Sequence, residues 1–231
     1  MSCKIRYIKI CGLTSIEDAK AAVGFGADIL GMVMHPQSPR CCKPENAQKI
    51  IRSLSLTPNV LVFADNDIHY ARDLVNSLDG QMTFIQAPSE TALFSWLVEN
   101  YPREKIIPVY SIQRGAESGS FARPLGDSID NLKNHPWIIL DTGGVVGHSG
   151  ETLYGGTGRT FDWNLVRNLN RKFFLAGGLN VHNIADAIRI TDAQAFDVSS
   201  GIEASPGIKD HKMMKRFIQE IRQANDQQGS I

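Results

Sequence analysis

KFFLAGGLNVHNIADAIRITDAQAFDVSSG, residues 172–201, reads as strand, turn, helix and strand in succession. The opening run, KFFLAG (172–177), is apolar without inside–outside alternation, as a strand covered on both faces must be. Gly177 and Gly178 break it, residues 181–190 carry a helical apolar period, and AFDVS (195–199) is a second strand. Two strands joined through a helix make the parallel βαβ unit, since parallel pairing needs a crossover of a dozen or more residues.

The same unit recurs along the 231 residues. Strand-like runs stand at 7–11 (YIKIC), 28–34 (DILGMVM), 59–64 (NVLVFA), 82–86 (MTFIQ), 105–110 (KIIPVY) and 137–141 (WIILD), besides the two already quoted. Helical patterns occupy 15–25, 44–54, 67–78, 90–100, 162–169, 181–190 and 209–222, with a faint one at 125–133. Eight such units, spaced roughly 29 residues apart, predict an α/β protein of the (β/α)8 or TIM-barrel type. The expected domain is one barrel over 1–231, with a polar, frayed tail at 223–231.

Lys plus Arg and Asp plus Glu number 24 each, so no global charge draws the chain to nucleic acid or an anionic membrane. No apolar run is long enough to span a bilayer, and MSCKIRYIKICG lacks the apolar core of a signal peptide. A cytoplasmic location is expected. Cys3, Cys11, Cys41 and Cys42 form neither a CxxC pair nor a zinc-ligand spacing with histidine, so no metal site is predicted.

Barrel enzymes carry their chemistry at the C-terminal ends of strands and in the loops that follow. The first strand ends in Cys11-Gly12 and the sixth in Asp141-Thr142-Gly143-Gly144. A thiol and a carboxyl at one rim are a candidate base and acid, against the plainer reading of a buried apolar cysteine and a turn aspartate. Gly177 and Gly178 after strand seven, and Ser199, Ser200 and Gly201 after strand eight, fall where such barrels hold phosphate on backbone amides. YGGTGRTFDW (154–163) offers a glycine loop, as lid or phosphate-side segment, and HPQSPR (35–40) ends in Arg40, whose guanidinium can grip a carboxylate at two points. Lys9 alternates with Cys11 along its strand and is expected on the same side, as a source of positive charge or as one half of an interior ion pair.

Six segments in order, KICGLTSIEDA (9–19), GADILGMVMHPQSPR (26–40), ILDT (139–142), YGGTGRTFDW (154–163), LAGGLN (175–180) and FDVSSGIEASPGIKD (196–210), resemble the phosphoribosylanthranilate isomerases of tryptophan biosynthesis. The resemblance implies an Amadori rearrangement of N-(5'-phosphoribosyl)anthranilate, with Cys11 as thiolate base and Asp141 as protonated acid. It further implies that Arg40 meets the anthranilate carboxylate, that Asp197 meets the ribose hydroxyls, and that Gly177, Gly178, Ser200 and Gly201 hold the phosphate. No cofactor is implied. The partner would be a phosphorylated small molecule, and the assembly a monomer or homodimer.

The chain departs from the family pattern in three places. After strand four it reads Ile85-Gln86-Ala87-Pro88-Ser89, keeping Gln86 as a substrate-side residue but placing Pro88 where the family carries histidine. The segment 111–127 is long, and Cys41-Cys42 replaces an aromatic–aliphatic pair. Two other readings therefore stand beside the main one: a related aldose–ketose isomerase acting on another amino-sugar phosphate, and a non-catalytic phospho-ligand binding barrel.

Overall fold

The computed structural model describes residues 6–64, 66–78, 83–112, 125–142, 145–146, 152–153 and 160–228. Eight parallel strands close a barrel: β1 (Tyr7–Ile10), β2 (Ile29–Val33), β3 (Asn59–Val62), β4 (Thr83–Pro88), β5 (Ile106–Ile112), β6 (Ile138–Thr142), β7 (Phe173–Leu175) and β8 (Ala195–Val198). Each pairs with its neighbours in chain order, and β1 closes the ring on β8 through Tyr7–Ala195, Ile8–Phe196, Lys9–Asp197 and Ile10–Val198. The α/β barrel expected from the recurring apolar runs is the fold observed.

Alternation along the strands sorts side chains into two cores. Ile8, Ile10, Leu30, Met32, Leu61, Leu140, Phe173 and Phe196 point outward into one large apolar layer shared with the helices. Val60, Ile107, Val109, Ile139, Phe174, Ala176 and Ala195 fill the barrel interior as a separate cluster. Two residues onward from this inner floor, on the same face, come Asp141 after Ile139 and Asp197 after Ala195. The functional candidates thus stand on an apolar floor at the C-terminal mouth.

The helices are α1 (Ile16–Phe25), α2 (Pro44–Ser53), α3 (Ile68–Leu78), α4 (Ala92–Asn100), α5 (Leu125–Ser128), α6 (Ile184–Ile190) and α7 (His211–Gln228). Helix α1 starts where Ser15 accepts the amide of Asp18 at 3.1 Å, and stops at Gly26, whose φ of 105° suits glycine. Three expectations shift. The helix read at 162–169 is only a 3-10 turn, Trp163–Val166, capped by Asp162 and halted by Asn168 at φ 62°. The faint fifth helix is α5 followed by a 3-10 turn, Asp130–Leu132.

The last helix begins at His211 rather than at residue 209, because Lys209 pairs across a short hairpin with Glu203 and Asp210 caps the helix through the amides of Lys212 and Met213. It runs on to Gln228, beyond the 222 boundary read from the pattern. Its Met214, Phe217, Ile218 and Ile221 are fully buried, and truncating Phe217 to alanine is expected to cost about 3–5 kcal/mol. Among the described residues no helix is long and apolar enough to cross a membrane.

Candidate active site

Lys9 and Cys11, alternating on the inward face of β1, come together in the barrel mouth. The Lys9 ammonium is fully buried and donates to Asp197 Oδ2 at 2.8 Å, across the β1–β8 seam. Burial opposes its charge, but Asp197 and Cys11 outweigh that, and the Lys9 pKa lies above its ordinary value. The sequence left open whether Lys9 is a charge source or an ion-pair partner, and it is both. Gly31 of β2 makes the room: a Cβ there would sit 2.9 Å from Cys11 Sγ and 3.0 Å from Lys9 Nζ.

Burial pushes the Cys11 thiol up; Lys9 pulls it down, Asp197 pushes it up, and the net position is above the ordinary thiol value. The balance favours Cys11 as a thiol, whereas the family resemblance implied a resident thiolate. Burial is the chief cause, and Lys9, which also pairs with Asp197, offsets it only in part. Lys209 adds a weaker downward pull.

Asp141, next to last in β6, stands opposite Ser111 of β5. Burial, seconded by the negative charge of Asp197, pushes its carboxyl up to about 7. That value lets the carboxyl hold a proton over part of the neutral range, which the role expected from the family resemblance requires. Its Oδ1 has no hydrogen-bond partner among the described residues, and neither have Gln86 Oε1, Thr142 Oγ1 or Asp197 Oδ1. Leaving a buried polar atom unpaired costs about 1–3 kcal/mol, so these oxygens suit a polyhydroxylated ligand.

The loops after β7 and β8 lie against each other. Gly177 (φ 85°) and Gly178 (φ 66°) take a left-handed path, and a Cβ on Gly177 would strike Thr142 and come within 2.6 Å of Asp141 Oδ1. A Cβ on Gly201 would strike the Leu179 carbonyl. Asn180 and Asn183 bind the Gly178 carbonyl at 3.2 and 3.0 Å, turning it back toward α6. Among the described residues, the amides of Gly178, Ser200 and Gly201 have no recorded acceptor, the condition for anion binding on main-chain N–H groups.

Arg40 reaches over Gly12 at the rim, where a Cβ would lie 3.1 Å from Arg40 Cδ and 2.6 Å from Ser199 Oγ. Its guanidinium is already held at two points by Glu203, through Nε to Oε1 at 2.9 Å and Nη2 to Oε2 at 2.8 Å. The two-point grip on a carboxylate that the sequence suggested for Arg40 is made here on Glu203 of the same chain. Lys209, fully buried, donates to Glu203 Oε1 at 2.9 Å and to the Ser199 carbonyl at 3.1 Å. Burial opposes the Glu203 charge, yet the two cations hold its pKa below the usual range, while burial lowers that of Lys209.

Gln86, Asp141 and Asp197 thus sit near the C-terminal ends of their strands, and Cys11, Gly177, Gly178, Ser200 and Gly201 just beyond theirs, with Arg40 at the edge. Pro88 is buried at the end of β4, two residues beyond Gln86 on the inward face. Glycines 143, 144, 155, 156 and 158, and most of the long segment 111–127, lie outside the described residues. Glu203 and Lys209 were missed, although a Ser205-Pro206-Gly207 turn between two opposite charges marks a hairpin that brings them face to face. Among the described residues no group of three or more His, Cys, Asp or Glu is placed to hold a metal ion.

Residues 8–220 match the family model of N-(5'-phosphoribosyl)anthranilate (PRA) isomerase. A relative named N-(5'-phosphoribosyl)anthranilate isomerase, from Legionella pneumophila, is 35% identical and aligns over 93% of this chain and 96% of its own. The crystal structure of the phosphoribosyl anthranilate isomerase from Thermotoga maritima superposes with a TM-score of 0.73 at 32% identity, over 95% of this chain and all (100%) of that one. A structure of such an isomerase with reduced 1-(o-carboxyphenylamino)-1-deoxyribulose 5-phosphate gives 0.71 at 29% identity, with coverage of 95% and 100%.

Proposed function

The chain belongs to the N-(5'-phosphoribosyl)anthranilate isomerase family, and from that premise we propose that Cys11 and Asp141 are its base and acid. The protein is an intramolecular aldose–ketose isomerase of tryptophan biosynthesis, converting N-(5'-phosphoribosyl)anthranilate to 1-(2-carboxyphenylamino)-1-deoxyribulose 5-phosphate. The observation that carries the assignment of roles is the buried Asp141 carboxyl, raised to about 7 at the same barrel mouth as the Lys9–Cys11 pair.

Asp141 gives its proton to the furanose ring oxygen as the bond from that oxygen to C1' breaks, and the amine lone pair forms the iminium. Cys11, as thiolate, removes the C2' proton, and the C–H electron pair moves to leave an enolamine. The enol proton then passes to C1' as the ketone forms, and transfer from the thiol side back to Asp141 restores the starting state. Lys9 stabilises the transient thiolate, which burial makes scarce at neutral pH but strongly basic. Asp197 has one oxygen on Lys9 and the other free for a ribose hydroxyl. Gly177, Gly178, Ser200 and Gly201 receive the phosphate on main-chain amides, Gln86 lines the inner wall, and Arg40 receives the anthranilate carboxylate.

A barrel that only bound phospho-ligands would have no use for a carboxyl raised to about 7 at the same mouth as a buried thiol. We place the protein in the cytosol, as a monomer or a homodimer. The test of the roles is turnover of freshly prepared substrate: Cys11→Ser and Asp141→Asn should each lower kcat ~100-fold or more. Near-normal turnover in either variant removes that residue from its role.

A further inference from the structure

Arg40 and Lys209 approach one carboxylate from different loops. Glu203 takes the Nε/Nη2 edge of the guanidinium with both oxygens, at 2.8–3.0 Å, and its Oε1 also receives Lys209 at 2.9 Å. A structural ion pair would be complete with Glu203 and Lys209 alone, which face each other across the 203–209 hairpin and are 4% and 0% exposed. Arg40 comes in addition, extended from the β2–α2 loop across the bare backbone of Gly12, whose φ of 73° and missing Cβ leave the space.

A guanidinium has two edges that can bind a carboxylate bidentately, and using one leaves the Nη1/Nη2 edge. The three charged groups sum to one positive charge, which one further carboxylate would neutralise. We infer that Glu203 is a positioning residue that occupies the inner edge of Arg40 so that the opposite edge is presented to the substrate carboxylate. This rests on the reading of Arg40 as the anthranilate anchor and adds the group that aims it. Ligand carboxylate and Glu203 would then flank one planar cation whose orientation is set before binding.

The experiment compares two competitive inhibitors, the reduced product analogue bearing the o-carboxyl group and its phenylamino counterpart without it. Wild type should prefer the carboxylate compound, and Arg40→Gln should abolish the preference. Glu203→Gln should weaken the carboxylate compound about tenfold while leaving the phenylamino compound within about twofold, a split that general damage to the fold would not produce. Equal loss of both, an unchanged preference, or tighter binding of the carboxylate compound would overturn the inference, the last because Glu203 would then only neutralise Arg40.

Should Arg40→Gln keep the preference, the Arg40 reading fails and takes the inference with it. Should Arg40→Gln lose it while Glu203→Gln retains it, the inference alone fails. Because Glu203→Gln strands the buried Lys209 charge, the double variant Glu203→Gln/Lys209→Met provides a second arm free of that burden. It should show the same selective loss, and an intact preference in it counts against the proposal.

Discussion

At the scale of single residues, the proposed acid Asp141, at about 7, and the proposed base Cys11, its thiol raised, would work in reverse protonation. The active form needs the acid protonated and the thiol ionised, although the acid loses its proton first. Below pH 7 the thiolate fraction rises tenfold per unit while Asp141 stays protonated, so kcat/KM should climb steeply. Above 7 the loss of protonated Asp141 cancels the gain in thiolate, and the profile should flatten rather than fall. A narrow bell centred below pH 7 would contradict this arrangement.

Asp141 also bears on stability. Its folded pKa is raised above the unfolded value, so its contribution is intact below about 4 and is lost as pH rises through 7. Asp141→Asn should therefore raise urea resistance at pH 8, by about 2 kcal/mol once solvent reaching the mouth is discounted, with the gap closing by pH 4. Cys11 and Asp141 were legible because each ends an apolar run. Glu203 and Lys209 were not, since their meaning depends on a hairpin register and on Arg40, far away in sequence.

Among elements, the two glycine loops after β7 and β8 depend on mutual contact. Gly201→Ala would push a methyl against the Leu179 carbonyl and separate them. The expected outcome is a KM about tenfold higher for the phosphorylated substrate, roughly 1.4 kcal/mol, measured against a smaller change in kcat. Gly177→Ala adds a left-handed backbone to a collision with Thr142 and Asp141, and should cost about 2 kcal/mol or more in urea melts besides activity.

The strands were legible as continuous apolar runs because both faces are covered, and α1 because Ser15 and Gly26 punctuate it. The sixth helix was overread. Phe161, Trp163 and Val166 are buried and satisfy an apolar spacing, but Asn168 at φ 62° ends the turn, and no propensity announces that. The start of α7 was misplaced because Lys209 suits a helix as well as a hairpin; only its ion pair with Glu203 decides.

For the molecule as a whole, the seam between β1 and β8 carries the buried Lys9–Asp197 pair. Removing one partner strands a charge, so Lys9→Met should cost about 3–5 kcal/mol in equilibrium unfolding. Lys9→Met combined with Asp197→Leu should recover much of that loss while activity stays absent. A double variant no more stable than Lys9→Met alone would show that the seam depends on something other than this pair.

Lys9 and Asp197 stand 188 residues apart in the chain. During synthesis at roughly 5–20 residues per second, the lysine waits roughly 10–40 s for its counter-charge to be made. Through that interval β1 offers an unpaired edge with a cation on its inner side, a poor template for foreign strands. The residue proposed to steady a thiolate would thus first serve as a guard on the nascent sheet.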